Sequence, residues 1–254
     1  PDTENVGGKS VTYKAGFMTI AVSRVKADGG FSETYTFTNS SKEEARLTDI
    51  GIYTPFNDNY PDSRTCMTSR CHAHIWTGAN TAYVEAVRMS GKGDGIGLVL
   101  TDGRIYDYDV WERGQDKGSS NNRGVLALCP QDKNLAPGES MSVSWRVFRH
   151  DSRTDFCERM IGLGGAVVSS PKYVYEVGEV AEVTARSANG TQTKTVKIEN
   201  PGPIDIPFEY APGKVTYARL LGVSSYEGLI QKRIDFIIDH QQMNDVTDPR
   251  YGAY

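Results

Sequence analysis

Between Glu139 and Phe148 the chain reads ESMSVSWRVF, and this stretch constrains the fold more than any other. Met141, Val143, Trp145 and Val147 alternate with Ser142, Ser144 and Arg146. A period of two puts the apolar set on one side of an extended strand and the polar set on the other. Such a strand needs a second layer over its apolar side, so it specifies a sheet with one face in a core. Pro137-Gly138 ahead of it is a turn signal. SETYTFTN at 32–39 alternates in the same way, and RLTDIGIYT continues the pattern. LVLTDGRIYDYDVW reads as a hairpin joined at Asp102-Gly103, where glycine supplies the positive φ a tight turn needs. No helical period interrupts the first 160 residues. Short strands separated by polar turns predict antiparallel sheets packed face to face.

Near Ile161 the texture changes. IGLGGAVVSSP is small and glycine-rich, as a boundary segment would be. KYVYEVG, VAEVTARSANGTQTKTVKIEN and GKVTYARLLG follow, the middle one a hairpin turning at Asn189-Gly190. At Ser225 the period switches. Tyr226, Leu229, Ile230, Ile234, Ile237 and Ile238 recur at steps of three and four, the mark of an amphipathic helix. The expected class is therefore mainly β: a large antiparallel β-sandwich, a small immunoglobulin-like β segment and a C-terminal linker helix. The expected divisions are 1–160, 161–222 (alternatively the last strands of the same sandwich) and 223–254. A helix with a strong apolar face at the end of a β protein needs a partner to cover it.

Composition excludes several classes. With 254 residues and a net charge of −4, the chain has no Lys/Arg run interleaved with aromatics, which argues against nucleic acid. No apolar run approaches the ~20 residues needed to span a bilayer. The opening PDTENVGGKS is polar and unlike a signal peptide. Four cysteines, an even count, suit an oxidising compartment. Abundant Tyr, Gly, Asn, Ser and Thr fit a secreted β-protein that handles polar ligands such as glycans. Sequons occur at Asn39 and Asn189.

The densest chemistry is NDNYPDSRTCMTSRCHAHIWTG, residues 57–78. Cys66, Cys71, His72 and His74 are all zinc-ligand types, and the Cys-x4-Cys spacing is tolerated. If CHAHIW is a strand, however, His72 and His74 share one face while Cys71 points to the other. All four converge only if the strand breaks. NDNYPD has oxygens for calcium but lacks the glycine and distal bidentate Glu of a calcium loop. A Cys66–Cys71 disulfide is the simpler expectation, with Cys71–Cys129 and Cys129–Cys157 as alternatives; a loop this short gains about 2 kcal/mol in the chain-entropy model. Cys71 beside His72 is no catalytic dyad, since strand neighbours face opposite ways, and there is no nucleophile elbow. Asp58, Asp62, Asp107, Asp109 and Glu112 are scattered acids with no evident pairing for glycoside cleavage. GKGDGIG has the wrong spacing for a dinucleotide fingerprint. Tyr106, Tyr108 and Trp111 could stack on sugars, although aromatics on strands more often pack in a core or on a surface. No cofactor is expected.

Three stretches together carry a resemblance: IGIYTPFNDNYPDSRTCMTSRCHAHIWTG, AYVEAVRMSG and RIDFIIDHQQMNDVTDPRYGAY. They resemble the N-terminal part of large secreted Bacteroidetes proteins of a domain-of-unknown-function family. There a galactose-mutarotase-like β-supersandwich precedes an immunoglobulin-like segment, and a linker helix enters an (α/α) toroid of the six-hairpin glycosidase type. The resemblance implies a secreted, periplasmic or cell-surface protein. It also implies a glycan ligand and, as partner, a catalytic toroid on the same polypeptide, either hydrolase or lyase. This segment would then carry no catalytic residue. Its candidate glycan contacts are Asn57, Asp58, Tyr60, Arg70, His72, His74 and Trp76, at the rim of the toroid's cleft. The alternative is a stand-alone carbohydrate-binding or adhesion module.

The disulfide expectation is directly checkable. Peptide mapping without reductant should recover Cys66 and Cys71 linked. Two free thiols, or stoichiometric zinc by metal analysis, would refute it.

Overall fold

The computed structural model describes residues 2–6, 10–27, 29–54, 62–65, 70–112 and 124–253. The chain divides into two compact units. The first comprises Pro1–Val167, Arg186–Thr191 and Phe208–Thr216; the second comprises Val168–Ala185, Gln192–Pro207 and Tyr217–Tyr254.

With strands numbered along the chain, the first unit is built on an eight-stranded antiparallel sheet. Its order is β1 (Asp2–Val6), β2 (Ser10–Ala15), β3 (Met18–Ala27), β4 (Gly30–Asn39), β13 (Ser140–His150), β9 (Gly95–Asp102), β8 (Thr81–Arg88) and β7 (Cys71–Gly78). A three-stranded sheet supplies the second layer: β10 (Ile105–Glu112), β11 (Gly124–Pro130) and β6 (Ile52–Tyr53). A two-stranded pair, β12 (Lys133–Leu135) with β5 (Ala45–Leu47), joins it. Val143, Trp145 and Val147 of β13 pack in one core with Val84, Leu98 and Leu100 from the large sheet and Ile52, Ile105, Leu128 and Leu135 from the second layer. The alternation of ESMSVSWRVF thus becomes the inner row of a β-sandwich.

One acid belongs to that inner row. Glu33 is 3% exposed; its Oε1 accepts from Arg24 Nε at 3.0 Å and its Oε2 from the Trp145 indole at 3.1 Å. Both carboxylate oxygens are used, which is the condition for burying a charge in a core. The outward sides of β4 and β13 carry a ladder of hydroxyl pairs instead. Thr34 meets Ser144 at 2.8 Å, Thr36 meets Ser142 at 3.0 Å and Thr38 meets Ser140 at 2.8 Å.

Two sequence expectations are corrected. The segment LVLTDGRIYDYDVW is not a hairpin, because β9 lies in the large sheet and β10 in the second layer. Gly103 does adopt the positive φ, 92°. But Ile105 and Ala79 exchange both backbone hydrogen bonds at 2.9 Å, and the Asn80 amide donates to the Gly103 carbonyl, so the chain crosses between layers. The first 160 residues also do contain a helical period: α1 runs from Arg153 to Gly162. Ser152 caps it by accepting from the Asp155 N–H, and Phe156, Cys157 and Met160 are its buried side. They pack on the outer face of the large sheet against Tyr83, Val99 and Phe148.

The glycines of GKGDGIG make that docking sterically feasible. A Cβ on Gly97 would stand 2.7 Å from the Phe156 ring and 3.0 Å from that of Phe148. One on Gly95 would stand 2.4 Å from His150 Nε2. The sequon at Asn39 is closed to modification, since the residue is fully buried and its Nδ2 donates to the carbonyls of Glu43 and Leu135.

Two three-stranded sheets are formed by the strands after Gly165. One is β14 (Ala166–Ser169), β16 (Val180–Ser187) and β17 (Gly190–Lys197); the other is β15 (Val174–Glu176), β19 (Lys214–Val223) and β18 (Gly202–Ala211). Ala181, Val183, Ile198, Ile206 and Leu220 are buried. The β16–β17 turn falls at Asn189-Gly190 as the sequence predicts, with Gly190 at φ 113°. Helix α2 (Tyr226–Phe236) continues as a π-helical turn, Ile237–Gln241. Ser225 caps it, and the Tyr226 N–H donates to Glu176 Oε1 at 2.6 Å. No helix among the described residues is long and apolar enough to cross a membrane.

Two glycine-to-alanine substitutions should differ in their effect on stability. Gly97→Ala collides with two rings and should lower the thermal midpoint. Gly162→Ala meets no atom within 4 Å. At a helix end, with no left-handed backbone to strain, it should be neutral or stabilise by up to about 1 kcal/mol. Leu98→Ala, which empties a fully buried site, should cost about 2–5 kcal/mol. Denaturant unfolding of the three variants checks all of these.

Candidate functional site

Strand β7 carries the described part of the expected glycan contacts. His72 and His74 are exposed and share a face, their ring centroids 6.4 Å apart. Their cross-strand neighbours on β8 are Val87 and Glu85. Trp76, four residues on, is half-buried and packs against the cluster formed by Tyr83, Phe148 and Phe156. Arg70 is exposed, and its carbonyl accepts from the Met89 N–H at 2.8 Å. Asn57, Asp58, Tyr60 and Cys66 lie outside the described residues, as do the side chains of Trp111 and Glu112. Cys129 and Cys157 are free thiols, so neither alternative disulfide forms. Among the described residues, no three His, Cys, Asp or Glu side chains converge to hold a metal.

Next to the two histidines sits a polar cluster that sequence reasoning missed. Glu85, 2% exposed, pairs with Arg153 from the first turn of α1. Arg153 Nη2 also donates to the Tyr83 hydroxyl at 3.0 Å, and its guanidinium lies 5.3 Å from the Tyr83 and Phe156 ring centres. Burial raises the Tyr83 phenol above its ordinary range, and Arg153 only partly opposes this. Buried His150 sits with Nδ1 3.1 Å from the Ser152 carbonyl oxygen and 4.0 Å from Glu85 Oε1. The cluster fastens α1 to the sheet. Residues drawn from β8, β13 and α1 show no common spacing in sequence, so only the fold reveals them.

Asp62, one of the scattered acids, works as a cap. It accepts from the Thr65 N–H and hydroxyl, both at 2.8 Å, which hold its carboxyl below the usual range. A general acid needs the opposite shift.

Asp107 and Asp109 line a groove of about 770 Å³ together with Asp49 and Asp132. Tyr106, Asp107, Tyr108 and Asp109 of β10 line one side. Asp49, Ile50, Gly51 and the segment Cys129, Pro130, Gln131, Asp132 complete it. The register between β10 and β11 slips between Ile105 and Asp107, a bulge. Bulges re-aim side chains, and this one affects Tyr106; from Asp107 on the register is regular, so Asp107 and Asp109 lie opposite Cys129 and Ala127 while Tyr108 lies opposite Leu128. Asp49 enters with φ 55°, a left-handed conformation that Asp tolerates better than most residues. Asp132 pairs with Arg46 at 3.6 Å, and the Oδ1 atoms of Asp107 and Asp109 accept from the N–H groups of Tyr108 and Val110, both at 2.8 Å. The Cys129 thiol is pushed up by burial first, then by Asp107 and Asp109.

No family model and no curated protein matches the chain. Among solved structures, it is similar to a polysaccharide lyase: 40% identity over 96% of this chain, with a TM-score of 0.83. The chain spans 40% of that lyase's length. A galactose mutarotase-like protein from Lactobacillus casei aligns over 59% of this chain and 72% of its own, at 13% identity. Its TM-score of 0.37 carries no argument.

The field of the groove can be read out at Cys129. Negative charge beside a thiol disfavours the thiolate, which is the reactive form. Asp107→Asn with Asp109→Asn should therefore speed alkylation of Cys129 by iodoacetamide at fixed mildly alkaline pH. Tryptic mass spectrometry resolves that site from the other cysteines. An unchanged rate would show that burial alone sets the thiol's behaviour.

Proposed function

We propose that this chain is the non-catalytic N-terminal region of a secreted glycan-degrading protein, supporting a catalytic toroid and lining its glycan cleft. The observation that carries the reading is the 40% identity to a polysaccharide lyase over 96% of this chain, a length that is 40% of the lyase. A β-sandwich region that accounts for part of a longer lyase fits a supporting role. In this reading 1–160 is a mutarotase-like supersandwich, 161–222 an immunoglobulin-like segment and 223–254 the linker to the toroid.

Two features give the proposal content. Helix α2 exposes Leu229, Ile230, Ile234 and Phe236, from 43% to 60% of each residue's surface. In the parent protein these residues pack on the toroid. The edge of β7 presents Arg70, His72 and His74, hydrogen-bond donors suited to an acidic polysaccharide, with the half-buried ring of Trp76 at the base. A rim of hydrogen-bond donors complements the carboxylates of an acidic polysaccharide.

The parent polypeptide, given uronate-containing polysaccharides, should release products with the ultraviolet absorbance of an unsaturated uronate. This chain alone should stay at background on the same panel. Turnover by the isolated chain, abolished by a single Asp or Glu substitution, would overturn the supporting role. Leu229→Glu with Ile234→Glu should leave the unfolding of the isolated chain nearly unchanged, because both side chains are already solvated. In the parent polypeptide the same pair should lower thermal stability. Equal effects in both contexts would show that the helix has no partner there.

A further inference from the structure

We infer that Tyr226 pins the start of α2 to strand β15 and sets the direction in which the helix leaves the sheet, so that α2 is a stiff strut rather than a flexible tether. Tyr226 and Glu176 are then positioning residues, which fix where the next part of the parent polypeptide stands relative to this sheet. The second step rests on the reading of 223–254 as a linker to a further region; the first does not.

The pin follows from the register of two strands. β15 runs parallel to β19, with Val174 opposite Leu221 and Glu176 opposite Val223. The Val177 N–H donates to the Val223 carbonyl at 2.9 Å. β15 therefore ends where β19 hands the chain to Ser225 and the helix. Glu176 Oε1 accepts from the Tyr226 N–H at 2.6 Å, which places a carboxylate at the positive end of the helix. The Tyr226 phenol reaches back along the same strand and donates to the Val174 carbonyl. One residue thus holds two positions of β15, through its backbone and through its side chain. Two separated hydrogen bonds define a direction where one would define only a point. The strand side is braced in turn. Lys172 Nζ pairs with both Glu179 carboxylate oxygens at 2.7 Å and lies 4.7 Å from the Tyr175 ring centre and 5.4 Å from that of Tyr226. Glu179 Oε2 also accepts from the Glu176 N–H at 2.6 Å.

Beyond the first turn no buried side chain anchors the helix. Among the described residues, neither α2 nor its π-helical turn buries one. Its direction is therefore decided at Tyr226. The stretch from Tyr226 to Gln241 extends ~24 Å at a rise of about 1.5 Å per residue, so a swing of about 10° at the pin moves the far end by about 4 Å. Misplacing reacting groups by ~1 Å can cost about a hundredfold in rate, so a loosened pin is felt by any cleft that both parts of the parent line.

The test has two arms. In the 254-residue chain, Tyr226→Phe keeps the ring beside Lys172 and removes only the hydroxyl, while Glu176→Gln keeps an acceptor and removes the charge. Hydrogen exchange read by mass spectrometry should find the peptide 226–236 protected in the unaltered chain. In the double variant it should exchange about fivefold faster or more, while peptides from β18 and β19 keep their protection and report an intact sheet. Should those sheet peptides lose protection, Tyr226→Phe alone decides, with the same expectation for 226–236. In the parent polypeptide the double variant should broaden the distribution of dimensions seen by small-angle scattering well below the unfolding temperature. The inference is overturned if 226–236 exchanges like an unstructured peptide in the unaltered chain, if the substitutions leave its exchange unchanged, or if the scattering of the parent does not change. A parent without turnover would instead sink the lyase reading and leave the exchange result standing.

Discussion

The hydrogen bond from the Trp145 indole to Glu33 is the constraint on which the first unit turns. Trp145 is fully buried at the middle of the large sheet, flanked by Glu33 on β4 and Leu100 on β9. An indole there brings an N–H into an apolar core, and an unpaired buried donor costs about 1–3 kcal/mol. Glu33 accepts that hydrogen bond, and Arg24 on the next strand balances its charge from the rim, where its side chain is 58% exposed. The three residues lie in one row across β3, β4 and β13. Sliding one of these strands by one residue would turn its member of the row to the other face and part Glu33 from its partners. Register, polarity and packing are therefore decided together. The Tyr35 phenol, raised by burial and then by Glu33, is held protonated beside the same carboxylate.

Once the inner row is set, the outer face follows from the pleat. Ser142 and Ser144 must point out and find Thr36 and Thr34, so the exposed half of the sheet is stitched by hydroxyls rather than covered. Farther along β13 the outward residues become Phe148 and His150, both buried, and something must cover them. Helix α1 does so because the chain reverses at Ser152 straight after the strand. Its fit depends on β9 presenting Gly95 and Gly97 where larger residues would collide. The Glu85–Arg153 pair then fixes the helix. Glu85 is a buried carboxylate that would be costly alone, and it is satisfied by a guanidinium that keeps half its surface in water.

How much of this was legible in the sequence depended on whether the signal was local. The alternation of β13 and the Asn189-Gly190 turn need only their own residues, and both were read from them. The 226–238 apolar stripe was equally plain, and its exposure in α2 shows that periodicity reports a face without reporting what covers it. Helix α1 was missed although Ser152 and Asp155 form a capping pair, because its buried side is only three residues and the glycines after it suggested a linker. The supposed β9–β10 hairpin failed for a different reason. A glycine with positive φ permits a reversal, but which sheet receives the next strand is decided by Ala79, contributed from 26 residues upstream of Ile105. The groove escaped altogether. Asp49 and Asp132 reach β10 only through the fold, and the bulge that turns Tyr106 has no sequence signature.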